Sequence, residues 1–160
     1  MLRQLTAAPR SRAQLEKKLA EKGVPTETAG AVLDRFTEVG LVDDAAYAEV
    51  LVRSQQLTRG LGRRGLAHEL RAKGVDDATA AAALEQVDDE TEEAAARALV
   101  ERKLRSMGSL EPVVQTRRLA GMLARKGYPQ GLTVRVVREA VRAQQDDGET
   151  DDDERFALDD

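Results

Sequence analysis

The chain has 160 residues, enough for one domain or a short series of small units with a hydrophobic core. It has no Cys, one His (His68) and four aromatic residues. This composition excludes disulfide scaffolds, thiol nucleophiles and Cys/His zinc sites, and it argues against a His-based catalytic triad and against an aromatic platform for single-stranded nucleic acid.

The formal net charge of −4 is unevenly distributed. Residues 146–160 hold nine acidic residues and one arginine, a net −8, which leaves 24 basic and 20 acidic residues, a net +4, in residues 1–145. This asymmetry is consistent with contact to polyanions, although many acidic tails serve only to keep a chain soluble. No apolar run has the length of a membrane span, and residues 1–8 lack the regions of a signal peptide. We therefore expect a cytoplasmic protein without membrane contact.

Helix start and stop signals recur along the whole chain, and no segment alternates with the period of a strand. Abundant alanine also favours helix. Caps and breakers predict eight helices in chain order: from Ser11 to Lys22-Gly23, from Pro25 to Gly40, from Asp43 to about Leu57, from the Gly60–Gly65 turn to Lys73-Gly74, from Asp76 to about Val87, from Thr91 to about Met107, from Pro112 to Lys126-Gly127, and from Pro129 onward.

The pattern Leu-x-x-x-Leu-x-x-Lys-Gly occurs three times and reveals an internal repeat. It ends at Gly23, Gly74 and Gly127, which are 51 and 53 residues apart. We therefore predict an all-α fold of three tandem three-helix (helix-turn-helix-like) repeats that form an elongated, curved solenoid. The predicted boundaries are 1–40, 41–88 and 89–145, followed by a disordered acidic tail, 146–160. In this register the first helix of the first repeat is truncated.

The junction of the first two repeats carries the most specific motif. It contains Gly40-Leu41-Val42-Asp43-Asp44, Tyr47-Ala48 and Arg53, followed by Gly62, Leu66, Glu69-Leu70 and Lys73-Gly74-Val75. Over residues 1 to about 143 the chain resembles the RecX family, bacterial modulators of the RecA recombinase. One departure is Gly65, where the family pattern has a polar or basic helix residue.

The resemblance implies a protein that acts by binding and is not an enzyme. RecX proteins bind the RecA–single-stranded-DNA filament and inhibit its extension, ATP hydrolysis, strand exchange and coprotease activity. The implied role is regulation of recombination, DNA repair and the SOS response. We accordingly expect RecA as the partner, DNA contact that is weak or mediated by RecA, a monomeric state, and no cofactor or metal.

Basic residues are the candidate contacts with RecA or DNA. Arg59, Arg63 and Arg64 cluster at a Gly-rich helix start, where a cation opposes the helix dipole and a bound phosphate would explain it. Arg117, Arg118, Arg125 and Lys126 form a second strip, Arg53 and Arg71 extend the first, and Lys73 is a further candidate. Lys73 and Lys126 also suit the negative end of a helix. Solvated surface is the plain alternative for all ten residues.

A direct DNA-binding helical-repeat protein without a RecA partner is the main alternative function. The third helix of each repeat would then read a groove, as in helix-turn-helix proteins. Residues 76–85 contain Asp76, Asp77 and Glu85 and no basic residue, which is unsuitable for a recognition helix. A generic helical adaptor also remains open.

Overall fold

The computed structural model describes the backbone of residues 8–156 and the side chains of residues 8–148. Within these residues every regular element is a helix, and no strand is present. The helices are α1 (Arg12–Glu21), α2 (Thr26–Glu38), α3 (Asp44–Arg59), α4 (Arg63–Ala72), α5 (Asp77–Leu84), α6 (Asp89–Leu104), α7 (Pro112–Arg125) and α8 (Gln130–Phe156), and a short 3₁₀ helix (Arg105–Met107) follows α6. The predicted all-α fold is confirmed.

The three predicted repeats are recognisable in the order of the helices. Helices α3, α4 and α5 form the second repeat, and α6, α7 and α8 form the third. The first repeat contributes α1 and α2, and the predicted truncation of its leading helix concerns residues that lie outside the described part of the chain.

Two compact units divide the chain. One comprises the chain up to Arg59 together with Leu66–Asp88, and the other comprises Gly60–Gly65 and the chain from Asp89 onward. Helix α4 therefore begins in the second unit and continues into the first.

Local capping explains where several helices begin or end. The Ser11 hydroxyl accepts the Gln14 N–H at 3.2 Å while the Gln14 side chain accepts the Ser11 N–H at 3.0 Å, which completes a capping box. Asp43 and Asp76 accept backbone N–H groups of α3 and α5 in the same way. At the Lys-Gly ends the glycines have a positive φ, for example 76° at Gly23.

The first unit buries most of its leucines of the repeat pattern. Leu15 and Leu33 are completely buried, and they pack with Val42 and with the partly buried Leu19 and Phe36. In its second repeat, α3 packs against α5, and Tyr47, Ala48, Val52, Leu66, Leu70, Val75, Ala80, Ala83 and Val87 are buried. Val32, one position before Leu33 on α2, is 38% exposed.

The second unit has its own core, in which α8 packs against both α6 and α7. The buried side chains are Ala96, Leu99, Val100, Leu104, Met107, Leu119, Leu123, Tyr128, Val136, Val137 and Val141. Val141 is the last of them among the residues whose side chains the structure describes, and the acidic segment begins five residues later, at Asp146.

Glycine permits a close approach of backbones inside the second unit. The Gly62 N–H donates to the Lys126 carbonyl at 2.9 Å. A Cβ added at Gly65 would lie 2.4 Å from the same carbonyl oxygen, and one at Gly127 would lie 2.1 Å from the Gly65 nitrogen. The departure from the family pattern at Gly65 therefore has a steric reason.

Helix α8 continues into the acidic segment. Its backbone is helical to Phe156, whereas the sequence predicts disorder from residue 146. Residues 146–156 contain no proline, and extension of an existing helix avoids the cost of nucleation, so the helix runs on. The remainder of the predicted tail, 157–160, lies outside the described residues.

Candidate functional site

Helix α4 begins at a buried carboxylate. The Arg63 N–H donates to Glu92 Oε1 at 2.8 Å, and Arg63 Nε donates to Glu92 Oε2 at 3.0 Å. Glu92 is only 1% exposed. The Arg63 guanidinium also pairs with Asp89, and this hydrogen bond is the main cause that raises the Arg63 pKa above its usual value.

A carboxylate of the chain occupies the place at the start of α4 where the sequence predicts a bound phosphate. An anion does lie at the N-terminus of α4, as the helix dipole favours. It is the Glu92 carboxylate of the chain itself, and Arg63 is held against it. The argument that Arg63 needs a bound phosphate to explain its position is therefore wrong.

Other members of the first strip also have acidic neighbours. Arg59 pairs with Glu69 at 2.7 Å, and Arg71 pairs with Asp77 at 3.7 Å. Both arginines are more than half exposed, so these pairs stabilise the fold little, but they offset part of the positive charge.

The first strip is divided between the two compact units. Arg53, Arg59, Arg71 and Lys73 belong to the first compact unit, and Arg63 and Arg64 belong to the second. Arg53 and Arg64 are exposed. Lys73 is half-buried, and its carbonyl accepts the Ser11 hydroxyl, which ties the end of α4 to the start of α1.

The second strip forms a groove. Arg117, Arg118 and Arg125 of α7 line it together with Lys103 from the last turn of α6, and its volume is about 680 Å³. Ser106, Met107, Leu110, Gly121 and Met122 complete the lining. We call this the basic groove. Lys126, predicted with this strip, does not line it: its N–H donates to the Met122 carbonyl at the end of α7.

Helical spacing brings the arginines of the basic groove together. Residues 118, 121 and 125 are separated by three and four positions and share one face of α7. A Cβ at Gly121 would lie 3.1 Å from Arg125 Nη1, so the missing side chain makes room for the guanidinium.

The basic groove has no acidic lining, and its four cations have no carboxylate partner in the part of the chain that the structure describes. Elsewhere in the same unit, Arg97 and Arg135 are both paired with Glu93. Clustered cations without counter-charges raise the local positive potential and attract anions. The geometry of the basic groove therefore suits phosphate or carboxylate groups.

Sequence reasoning missed Lys103, since a basic residue at the end of a helix is typical of dipole stabilisation and nothing local links it to α7. The lone His68 is exposed on α4. Among the described residues no group of three or more His, Asp or Glu side chains is placed to hold a metal ion. No helix in the same part of the chain is long and apolar enough to cross a membrane.

Family models match most of the chain. Residues 1–36, 43–84 and 90–137 match the first, second and third three-helix domains of RecX. Each matched range falls within one of the three repeats predicted from the sequence.

Curated relatives are similar over most of their length. The chain is 50% identical over 155 residues to "Regulatory protein RecX" of Streptomyces coelicolor, which covers 97% of this chain and 82% of that protein. It is 52% identical over 143 residues to the protein of the same name from Thermobifida fusca, covering 89% and 77%.

A solved structure has the same fold. The crystal structure of RecX from Lactobacillus salivarius superimposes with a TM-score of 0.79 at 22% identity, over 87% of this chain and 90% of that one.

Proposed function

Because the chain belongs to the RecX family of regulatory proteins, we propose that it regulates recombination and DNA repair in the cytoplasm by binding the RecA–single-stranded-DNA filament and inhibiting RecA. The inhibited activities are filament extension, ATP hydrolysis, strand exchange and stimulated repressor cleavage. The protein acts by binding alone.

The basic groove supports the proposal most directly, because it identifies the residues that would contact the filament. A RecA–DNA filament presents phosphates and acidic protein surface. Arg117, Arg118, Arg125 and Lys103 offer four cations in one place, with no carboxylate partner among the described residues. Arginine binds both carboxylates and phosphates in bidentate geometry. Three tandem repeats also suit a repeating target, because linked contacts to successive protomers add through effective concentration.

The test is the steady-state ATPase activity of the cognate RecA on single-stranded DNA. Substoichiometric protein should inhibit the activity strongly. The double variant Arg118→Glu/Arg125→Glu should raise the half-inhibitory concentration at least about tenfold, because each lost charge-assisted hydrogen bond costs about 1.5–3 kcal/mol.

The matched control is Lys17→Glu/Arg35→Glu, which reverses two exposed cations of the first unit and changes the net charge by the same amount. It should inhibit like the parent chain. No inhibition by the parent chain would contradict the proposed function, whereas full inhibition by the groove variant would reject only the groove.

Direct DNA binding without RecA is the second candidate, and the same four cations of the basic groove favour it. Fluorescence anisotropy with labelled single-stranded DNA separates the two functions. The filament function requires much tighter binding to RecA-coated DNA than to bare DNA, and equal affinities would favour the second candidate. Salt should weaken both interactions.

A further inference from the structure

A second groove of the same compact unit lies between α7 and α8 and has an apolar floor. Its volume is about 750 Å³. Valine, alanine and proline side chains form most of the lining, and Val113 and Val134 are 78% and 45% exposed. We call this the α7–α8 groove.

Three arginines also line the α7–α8 groove, and no acidic residue does. They are Arg117, Arg138 and Arg142. None of them has an ion-pair partner in the described part of the chain. Exposed apolar side chains gathered in one concave site and bordered by cations indicate a docking surface.

The chemistry of the groove favours an acidic peptide with apolar side chains. A nucleic-acid backbone would bring phosphates against the valine floor, where they lose water without gaining partners. A peptide segment can place apolar side chains on the floor and carboxylates beside the three arginines.

The C-terminal segment of the chain has this composition. Residues 149–160 hold seven acidic residues and one arginine, a net −6, around the apolar run Phe156-Ala157-Leu158. We propose that this segment of one copy docks in the α7–α8 groove of a second copy, so that the protein self-associates through its tail. This differs from the monomeric state expected from the sequence.

The length of α8 favours docking of the C-terminal segment onto a second copy over docking into the groove of its own chain. The helix continues to Phe156, which places its end about 16 Å beyond Gln145, the last residue of the groove. The four residues that follow span at most about 14 Å. They cannot reach Val134, which lies about 16 Å along α8 on the other side of Gln145. Docking onto a second copy needs no unwinding of α8, and reciprocal docking closes a twofold dimer.

Sedimentation velocity of the full-length chain over a range of concentrations tests this proposal. The weight-average sedimentation coefficient should rise with concentration at low salt and rise much less at high salt, because the contact is partly electrostatic. Val113→Asp should abolish the rise. Leu57→Asp is the matched control, since Leu57 is 87% exposed on α3 and does not line the groove, and this variant should associate like the parent chain.

Complementation identifies the two halves of the contact. Phe156→Asp/Leu158→Asp should also abolish the rise. A mixture of this variant with Val113→Asp should associate again, because the mixture contains one intact groove and one intact segment. Circular dichroism checks that each variant is folded.

Two results would overturn the proposal. One is a parent chain that stays monomeric at every concentration, including the case in which the segment binds its own groove. The other is association that Val113→Asp leaves unchanged, which would place the contact elsewhere. Neither result bears on RecA inhibition, because RecA is absent from the experiment.

Discussion

Tyr128 connects the core of the second compact unit to the turn that precedes α4. Its side chain is only 4% exposed and belongs to the core, and its hydroxyl donates to the Gly60 carbonyl at 2.9 Å. Burial, with a smaller contribution from the Glu92 carboxylate, raises the pKa of Tyr128 to about 12, from an ordinary value of 10.0. The folded state therefore favours the neutral phenol.

The alkaline stability of the protein should depend on this residue. Because the folded pKa is higher than the unfolded one, the contribution of Tyr128 is complete below about pH 10 and is lost as pH rises towards 12. Two pKa units correspond to about 2–3 kcal/mol. Tyr128→Phe should cost about 1 kcal/mol at neutral pH for the lost hydrogen bond and should lack this alkaline loss.

Urea unfolding of the two proteins at a series of pH values measures the effect. Both proteins keep Tyr47 and all lysines, so the difference between their free energies of unfolding isolates Tyr128. The difference should shrink and change sign between pH 10 and 12. A constant difference across this window would show that Tyr128 ionises with the same pKa in both states.

At the scale of the helices, local sequence determined what could be predicted. Ser11, Asp43 and Asp76 cap helices because each side chain reaches backbone groups within three residues of itself, a relation that the sequence displays directly. The same holds for the Lys-Gly helix ends. These features were predicted correctly because no tertiary contact is needed to produce them.

Features that depend on distant residues were not predictable in this way. Glu92 caps α4 from 29 positions away, so a local rule assigned that helix start to an external phosphate. Lys103 joins the basic groove only because α6 packs beside α7. Val32 has the right residue type for the core, but it is one position away from Leu33, which takes the buried position on α2.

The three repeat glycines offer a comparison of identical substitutions in different surroundings. Gly23, Gly74 and Gly127 have φ values of 76°, 78° and 86°, so an alanine at each meets the same backbone strain. A Cβ has nothing within 4 Å at Gly23, the Ala13 Cβ at 2.3 Å at Gly74, and the Gly65 nitrogen at 2.1 Å at Gly127.

Alanine at each position should therefore destabilise the protein, least at Gly23, more at Gly74 and most at Gly127. We expect a cost of about 1–2 kcal/mol at Gly23 from strain alone and a further 1–3 kcal/mol or more at the crowded positions. Thermal unfolding gives the ranking. Ala13→Gly should rescue Gly74→Ala in part, and no side-chain change can rescue Gly127→Ala, because its clash is with backbone. Equal costs at the three positions would contradict the assigned contacts.

At the scale of the whole molecule, charge is separated along the chain. The body carries a net +4, with arginines lining two grooves, and residues 146–160 carry −8. Arg117 lines both grooves, so a segment docked in the α7–α8 groove would take one cation from the basic groove. The acidic segment should oppose the binding of polyanions in two ways: its negative charge repels them, and its docking would occupy Arg117.

Removal of residues 149–160 should consequently tighten binding to single-stranded DNA while leaving stability unchanged. The deletion changes the formal net charge from −4 to +2, and the last buried core residue is Val141. The free energy of unfolding should stay within about 0.5 kcal/mol of the parent value. DNA affinity should rise several-fold at low salt, with the gain disappearing as salt screens the segment.

A full-length variant with the seven acidic residues replaced by serine separates charge from length, and it should bind DNA like the deletion. Weaker binding by either variant would mean that the segment assists the contact with polyanions.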